Sequence, residues 1–452
     1  MNDKILKLPD LTLFTVSAIV LLDTLAASAS IGASSLTWWL LLGVIFMLPI
    51  GLITSELGTT YPAEGGISVW IKQAFGQKWA TRAMWAYWIN VAIWLPAIFI
   101  LFAGVFARLF HLDINITQQI IIGIVLTWMS VAVDVFGLKI GKWVPNLGAV
   151  LKMVIFGVLI LGGFYYAKQN GYANEINAVT LRPEWKDGLK FLPAIIYGML
   201  GFELVSSAGG QIQEPARNVP RAVVLSGVLI LGLYFFSNLG ILAAIPAGDI
   251  DIVDGLIDTL DLFFASTPSG GAIVLLLGIG ALYTFWSNGV TWAMGSNRSI
   301  AEAASEGQLP AMFAKTHAVH GGPVGAAVLM GFVCTIALVL YGALVSTNED
   351  LFWALFSFSA VIFMLPYIGM VLAFLKLRKI DPDTPRPFRV PGGIWIARIL
   401  TAVCFLILVM TVFLFLYVPE EGLQKSTLYG VVVVLLMGEG LIFVSQRNRP
   451  KL

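Results

Sequence analysis

Three charged side chains lie inside long apolar stretches of the sequence: Asp23, Lys152 and Glu203. A charge at the centre of a bilayer costs roughly 2.5–3.5 kcal/mol even on insertion scales that give low values, so it usually faces a partner or a transport pathway. A carboxylate there can receive an ammonium group or a proton, and a lysine inside the membrane needs a partner. Structural alternatives stay open: a hydrogen bond from either carboxyl group to a neighbouring helix, and extension of Lys152 to the membrane surface.

Small and hydroxyl side chains surround both carboxyl groups. Residues 24–35 are mostly Ala, Ser, Thr and Gly, and residues 198–210 are rich in Gly and Ser. Such side chains permit close backbone approach, and hydroxyls can satisfy backbone groups freed by a broken helix. Interrupted helices at corresponding positions of the two halves of a chain indicate a transport site. The alternative is a tight helix–helix interface in which neither helix is interrupted. The candidates for lining the site from these stretches are Thr24, Ser28, Gly201 and Ser206.

The rest of the chain is typical of an all-α integral membrane protein. Of its 452 residues, 58% are hydrophobic and only 12% are charged, whereas soluble domains carry about 25% charged residues. The mean hydropathy is +0.87, and the apolar residues come in runs long enough to cross roughly 30 Å of hydrocarbon. We predict twelve spans, near 11–33, 37–58, 80–107, 117–137, 144–167, 190–212, 221–246, 271–300, 324–345, 351–376, 395–417 and 427–445.

The basic residues predict the orientation of these spans. With both termini in the cytoplasm, the cytoplasmic segments hold 20 of the 27 Lys and Arg, the outer loops hold 6, and Lys152 lies within a span. This distribution obeys the positive-inside rule. We therefore expect a multi-pass protein of the plasma (inner) membrane with both termini cytoplasmic. Trp38, Trp39 and Trp395 are expected at the membrane surface.

Other classes of protein fit the sequence less well. Cys334 and Cys404 both lie in apolar runs, so we expect no disulfide framework, no cysteine metal site and no disulfide-linked accessory subunit. With only three histidines, neither a nucleophile–base pair nor a metal cluster is expected inside the membrane, and we predict no enzyme and no cofactor. A net charge of +1 gives no reason to expect a nucleic-acid partner. A passive channel, which usually has repeated pore loops, is the alternative from another class.

The outer loop after the seventh span is acidic. It contains Asp249, Asp251, Asp254, Asp258 and Asp261. The last three are spaced by four and three residues, so they would share one face of a short helix. They form either a solvated face or a weak electrostatic funnel for cations.

Four motifs resemble those of the amino acid–polyamine–organocation (APC) superfamily, and the resemblance covers most of the chain. They are Tyr61–Gly76 (YPAEGGISVWIKQAFG), Gly201–Glu203 with Glu214–Ala222 (EPARNVPRA), Glu306–Pro310 (EGQLP) and Arg386–Gly393 (RPFRVPGG). Within the superfamily, residues 40–56 are most similar to the glutamate/GABA antiporter group and related bacterial amine and amino acid permeases.

The resemblance implies a single transmembrane transporter domain with a LeuT-like architecture. Two inverted repeats of five spans, about 11–167 and 190–376, would be followed by two peripheral helices at about 395–445. The first and sixth spans would be broken near the midplane, where the substrate binds. Such a protein is a secondary active transporter that works by alternating access.

The residues at the first break depart from the family pattern. Relatives commonly have a small Gly-Ser-Gly motif there, whose amides receive the α-carboxylate of an amino acid, but this chain has Leu22, Asp23 and Thr24. An ionised Asp23 would repel a carboxylate and favour an ammonium group. A cationic amine, polyamine or cationic amino acid is therefore the favoured substrate, and exchange of neutral or acidic amino acids is the alternative.

The resemblance also assigns roles to other positions. Glu203 matches a glutamate implicated in proton sensing, and Lys152 matches a lysine that takes the place of a sodium ion. This implies sodium independence, with either proton coupling or exchange. Aromatic side chains that match pathway residues, and that suit an ammonium ligand through cation–π contact, are Tyr87, Trp88, Tyr197 and Trp292.

Overall fold

The computed structural model describes residues 7–62, 66–136, 143–185, 187–204, 212–318, 321–419 and 421–447. These residues are mostly helical, with connecting loops and one short antiparallel ribbon of β1 (Tyr417–Val418) and β2 (Gly422–Leu423). The helices are α1 (Leu8–Ile19), α2 (Leu25–Ala29), α3 (Ser34–Leu42), α4 (Leu48–Thr60), α5 (Ile67–Phe75), α6 (Gln77–Leu109), α7 (Ile116–Phe136), α8 (Trp143–Asn170), α9 (Leu192–Tyr197), α10 (Pro215–Ala244), α11 (Gly255–Phe264), α12 (Gly270–Ser305), α13 (Val324–Gly342), α14 (Asn348–Ile380), α15 (Gly393–Leu416) and α16 (Lys425–Arg447).

Ten helical segments of the described chain are long and apolar enough to cross a membrane. One of them, Ser34–Thr60, combines α3 and α4 through a single π-helical turn at Gly43–Met47. The other nine are α6, α7, α8, α10 and α12 to α16. Two further apolar helical stretches, Leu8–Ile19 and Leu192–Leu204, are shorter. The prediction of a multi-pass, all-helical membrane protein is confirmed, and the two short stretches overlap the first and sixth predicted spans.

Helix α6 lies at the centre of the protein. It packs against α5, α7, α12, α13, α14 and α16, and nearly all of its apolar side chains are buried. Because α12 and α14 both pack against α6, side chains from these three helices meet in the interior. This packing brings together the aromatic residues described below.

Helices α8 and α10 approach each other through glycine. A Cβ atom on Gly163 would lie 2.3 Å from the Cα of Gly240, and one on Gly240 would lie 2.2 Å from the carbonyl oxygen of Leu159. Small residues at such a crossing let the two backbones touch. This contact holds α10 against α8.

The backbone of the Arg386–Gly393 motif contacts a buried pair of opposite charges. Arg378 of α14 donates to both carboxylate oxygens of Glu56 in α4, and both side chains are 2% exposed. Glu56 also accepts from the backbone N–H of Val390 at 2.7 Å, and Arg378 donates to the carbonyls of Val390 and Gly393. A buried ion pair needs such additional hydrogen bonds to offset its desolvation. The motif therefore fixes the connection between α14 and α15 onto α4.

The acidic segment between α10 and α12 contains the short helix that its spacing predicts. Arg108, near the end of α6, binds Asp258 and Asp261 of α11 at 2.9 Å each, so these two carboxylates share one face. Asp254 immediately precedes α11, and its Oδ1 atom is buried. Burial, together with the charges of Asp251, Asp258 and Glu349, raises the pKa of Asp254 to about 7 from its ordinary 3.8, although Arg108 opposes the shift.

We expect this carboxyl group to make the folded protein less stable as the pH rises from about 4 to about 7. In that range the folded state retains a proton on Asp254 that the unfolded chain has released, so raising the pH favours unfolding. Replacing Asp254 by Asn removes this effect. The melting temperature of the variant minus that of wild type should therefore be about 1–2 °C larger at pH 8 than at pH 4.5. Thermal unfolding of the detergent-solubilised protein measures it. Asp249→Asn, at an exposed position of the same segment, is the control; equal behaviour of the two variants would contradict the prediction.

Candidate functional site

Two apolar helices end inside the protein and meet there. Helix α1 ends at Ile19 and helical structure resumes at Leu25, while α9 ends at Tyr197, shortly before Gly201. Gly201 has a φ of +122°, which favours glycine, and a Cβ atom at this position would lie 2.8 Å from Cγ1 of Ile19. The absence of a side chain at Gly201 therefore allows the two helix ends to touch.

A tyrosine from α10 satisfies backbone groups that the end of α1 leaves free. The Tyr234 hydroxyl donates to the carbonyl oxygen of Ile19 at 3.3 Å and accepts from the N–H of Leu21 at 2.9 Å. Its ring stacks on Trp39, with centroids 4.3 Å apart and an interplanar angle of 10°. The predicted surface positions of Trp38 and Trp39 are wrong, because Trp38 is only 3% exposed and the Trp39 ring is fully buried against Tyr234.

Asp23 lies in the segment between α1 and α2 and is only 2% exposed. The indole N–H of Trp94, from α6, donates to its Oδ2 atom at 3.1 Å. The Oδ1 atom is also buried and has no hydrogen-bond partner among the residues that the structure describes. A buried acceptor without a donor is costly. A ligand that brings a donor to Oδ1 would therefore be favoured.

Lys152 of α8 binds the end of α1. Its Nζ atom donates to the carbonyl oxygen of Ser17 at 2.9 Å and to Oδ1 of Asn288, in α12, at 3.0 Å. The side chain is 1% exposed, so the alternative that it extends to the membrane surface is wrong. A positive charge is favourable at the carboxyl end of a helix, where the free carbonyls carry partial negative charge. The ammonium also interacts electrostatically with Asp23.

Glu203 is buried like Asp23 but has different surroundings. The Tyr367 hydroxyl donates to its Oε2 atom at 2.5 Å, and the Tyr87 hydroxyl donates more weakly to Oε1 at 3.4 Å. Both of its carboxylate oxygens therefore have donors. Of the two carboxylates, Asp23 is the one with an oxygen that has no donor among the described residues.

Aromatic side chains connect the surroundings of these two carboxylates. Trp94 meets Trp292 edge-on at a centroid distance of 6.3 Å, and Trp292 lies 6.2 Å from Tyr87 and 6.1 Å from Phe363. Phe363 in turn lies 5.0 Å from Tyr367. We call this group the aromatic cluster; its members are Tyr87, Trp94, Tyr197, Trp292, Phe363 and Tyr367.

The structure brings together some of the predicted site residues and separates others. The side chains of Asp23, Tyr87, Tyr197, Glu203 and Trp292 form or border the aromatic cluster. Ser28 and Trp88 point elsewhere, because each is bound to a neighbouring helix: Ser28 donates to Asn238 of α10 at 2.8 Å, and Trp88 donates to Asn297 of α12 at 2.7 Å. Thr24 is buried beside Asp23 in the interruption. Ser206 lies outside the described residues.

Four residues of this arrangement were not predicted from the sequence: Trp94, Asn288, Phe363 and Tyr367. Helical spacing could have found two of them, since Trp94 follows Tyr87 by seven residues and Asn288 precedes Trp292 by four. Each of these pairs lies on one face of its helix. Among the described residues, no group of three His, Cys, Asp or Glu side chains is placed to hold a metal ion.

Comparison with known proteins gives consistent results. A family model described as "Amino acid permease" matches residues 6–437. The chain is 35% identical over 440 residues to a probable agmatine/putrescine antiporter of Lactococcus lactis subsp. lactis, an alignment that covers 95% of this chain and 93% of the relative. It is 23% identical to a glutamate/gamma-aminobutyrate antiporter of the same organism, covering 89% and 82% of the two chains. It is 24% identical to the serine/threonine exchanger SteT of Bacillus subtilis, covering 78% and 77%.

The family match spans nearly the whole chain and agrees with the motifs, the apolar helices and the buried charges at the two helix ends. The chain therefore belongs to the amino acid permease family of the APC superfamily.

Proposed function

We propose that this protein exchanges small organic cations, in particular amines that lack a carboxylate, across the plasma membrane. The observation that carries the proposal is Asp23, which is buried in the interruption of a membrane helix with Oδ1 free of any described partner. An ammonium or guanidinium group supplies both the positive charge and the N–H donor that this oxygen needs. An α-carboxylate at the same place would instead meet a like charge.

The aromatic cluster supports the same class of substrate. The face of a Trp or Tyr ring attracts a cation, by about 2 kcal/mol or more when both are removed from water. Trp94 binds Asp23 and packs edge-on against Trp292, and Tyr87 stands next to Glu203. A flexible chain with positive charge at one or both ends would find apolar walls and negative charge in one place. Agmatine and putrescine, after which the 35% identical relative is named, have this chemistry.

We further propose that the chain adopts the twelve-span, LeuT-like arrangement, with inverted repeats of about 11–167 and 190–376 and peripheral helices at about 395–445. The support is that α1 and α9 end in the first and sixth spans, which are the corresponding first spans of the two repeats. Both termini would then face the cytoplasm, and the site would open alternately to either side.

Lys152 supports sodium-independent transport. Its ammonium donates to the carbonyl oxygen of Ser17 and to the amide oxygen of Asn288. Oxygens of this kind could otherwise coordinate a sodium ion. Glu203, held by two tyrosines, is the group that would take up or release a proton if transport is proton-coupled. Exchange of one organic cation for another requires neither a sodium ion nor a proton.

The proposal is tested with matched pairs, each amine beside the amino acid from which decarboxylation would produce it. The pairs are putrescine with ornithine, agmatine with arginine, and cadaverine with lysine. A ligand that binds the folded protein raises its melting temperature, and counterflow in proteoliposomes then shows whether the ligand is carried. We expect the amines to stabilise the protein and to drive counterflow, with little effect of the parent acids.

Two other outcomes identify the alternatives. If amino acids stabilise the protein and amines do not, it is an amino acid exchanger like its more distant relatives. If amines pass through the membrane without saturation or counterflow, it is a passive channel.

A further inference from the structure

We propose that Trp94 is the residue that sets the preference for amines over amino acids, by positioning Asp23 as an acceptor with a single open oxygen. This inference rests on the proposed function, because it assumes that Asp23 receives the cationic end of the substrate. Trp94 itself belongs to α6, and nothing in its sequence surroundings marks it as polar or ionic.

The first argument is the hydrogen bond. The indole N–H of Trp94 donates to Oδ2 of Asp23 at 3.1 Å, and both side chains are 2% exposed. A donor that bonds to a carboxylate oxygen fixes the plane of the group, and such charge-assisted bonds are the stronger kind. With Oδ2 held, a ligand approaching Asp23 finds the negatively charged Oδ1. An amine can donate to it, whereas a carboxylate cannot.

The second argument concerns the donors beside Asp23. A substrate carboxylate would need N–H groups or a cation to replace its lost water. The Trp94 N–H is already engaged with Asp23. The ammonium of Lys152 donates to Ser17 and Asn288. The indole N–H and two of the three ammonium N–H groups are therefore already committed to other acceptors.

The third argument is the position of the ring. Trp94 meets Trp292 edge-on at 6.3 Å, so it forms the end of the aromatic cluster nearest to Asp23. One side chain therefore orients the carboxylate and also borders the space where a cation would lie. A Phe at this position would keep an aromatic ring but lose the N–H, so substitution can separate the two roles.

The experiment compares Trp94→Phe with wild type by titrating putrescine, ornithine, agmatine and arginine into the purified protein. The measured quantity is the ratio of Kd values within each amine and amino acid pair. Without the indole donor the carboxylate is free to turn, and we expect this ratio to move toward the amino acid by about tenfold. A general loss of packing would weaken both members of a pair and leave their ratio unchanged.

Trp85→Phe is the matched control. Trp85 is a buried tryptophan of the same helix, but its N–H donates to the carbonyl oxygen of Val434, in α16, at 2.9 Å. This variant should retain the wild-type ratio. Trp94→His, which keeps a ring N–H, should retain more of the preference than Trp94→Phe. Trp94→Leu, which also lacks the N–H, replaces Trp94→Phe if that variant does not fold.

The outcomes separate this inference from the proposed function. If wild type binds no amine, the proposed function fails and the role of Trp94 fails with it. If wild type prefers amines and the Trp94→Phe variant keeps that preference, the proposed function stands and only the role of Trp94 is refuted. A tenfold change in Trp94→Phe that is smaller in Trp94→His and absent from Trp85→Phe supports both.

Discussion

Replacing Asp23 by Asn is expected to abolish transport of a cationic amine while leaving the folded protein intact. The substitution keeps the shape of the side chain but removes the negative charge from a position that is 2% exposed. Removing one partner of a buried, hydrogen-bonded pair of charges costs about 2–5 kcal/mol, which corresponds to roughly a 30-fold or greater loss of affinity. Uptake of radiolabelled putrescine or agmatine into proteoliposomes measures the effect.

Asp134→Asn provides a matched control for this change. Asp134 is also a buried carboxylate, but it lies outside the aromatic cluster. It accepts at 2.8 Å from the side chain of Asn297, which in turn accepts from Trp88. We expect this variant to keep its uptake. Unchanged uptake by the Asp23→Asn variant would remove Asp23 from the substrate site, and the preference for amines would then need another explanation.

The second large effect is expected from Lys152→Ala. The substitution removes the charged donor from the carbonyl of Ser17 and leaves the amide of Asn288 without its partner. Leaving a buried acceptor without its charged donor costs about 1.5–3 kcal/mol, so we expect transport to fall by about tenfold or more. We also expect the remaining uptake to be the same in sodium and in choline buffers, because one lost ammonium does not by itself build a sodium site.

Lys168→Ala is the control, since it makes the same change at an exposed position of the same helix. It should transport at the wild-type rate. Full activity of the Lys152→Ala variant would show that the lysine contributes nothing to transport. Uptake that appears only in sodium buffer would show that the lysine occupies a sodium position. It would also show that the remaining groups suffice to bind sodium once the lysine is removed.

The membrane class and most of the helices could be predicted because they depend on composition alone. Apolar runs and the placement of Lys and Arg require no knowledge of which helices touch. The two short helical stretches were also predictable, since glycine and serine near Asp23 and Glu203 favour close contact and a break. Gly201 shows why this works: its positive φ and its contact with Ile19 both require glycine.

The contacts of the site could be predicted only in part. Trp88 and Trp94 lie on one helix and look alike in the sequence, yet the first binds Asn297 and the second binds Asp23. Which of them faces the site depends on how α6 is rotated against α1 and α12, and hydropathy does not define that rotation when nearly the whole helix is apolar and buried. Phe363 and Tyr367 were missed for a related reason, because α14 is apolar on all sides.

The Arg386–Gly393 motif illustrates a different limit. Its resemblance to other permeases was visible, but the reason for its residues was not. The structure supplies one: the motif brings backbone carbonyls and an N–H to a buried Glu56–Arg378 pair that lies more than three hundred positions apart in the chain. Such a long-range contact cannot be read from local spacing.

Helix α10 forms hydrogen bonds with both halves of the interrupted first span. Tyr234 binds the backbone on either side of Val20, while Asn238, one turn further along, accepts from Ser28 in α2. Because α10 is in turn fixed to α8 by the Gly163–Gly240 crossing, the angle between α1 and α2 is set from outside the proposed substrate site. If alternating access changes that angle, one set of these hydrogen bonds has to give way, and substitutions in α10 would then alter the rate of transport without touching the substrate.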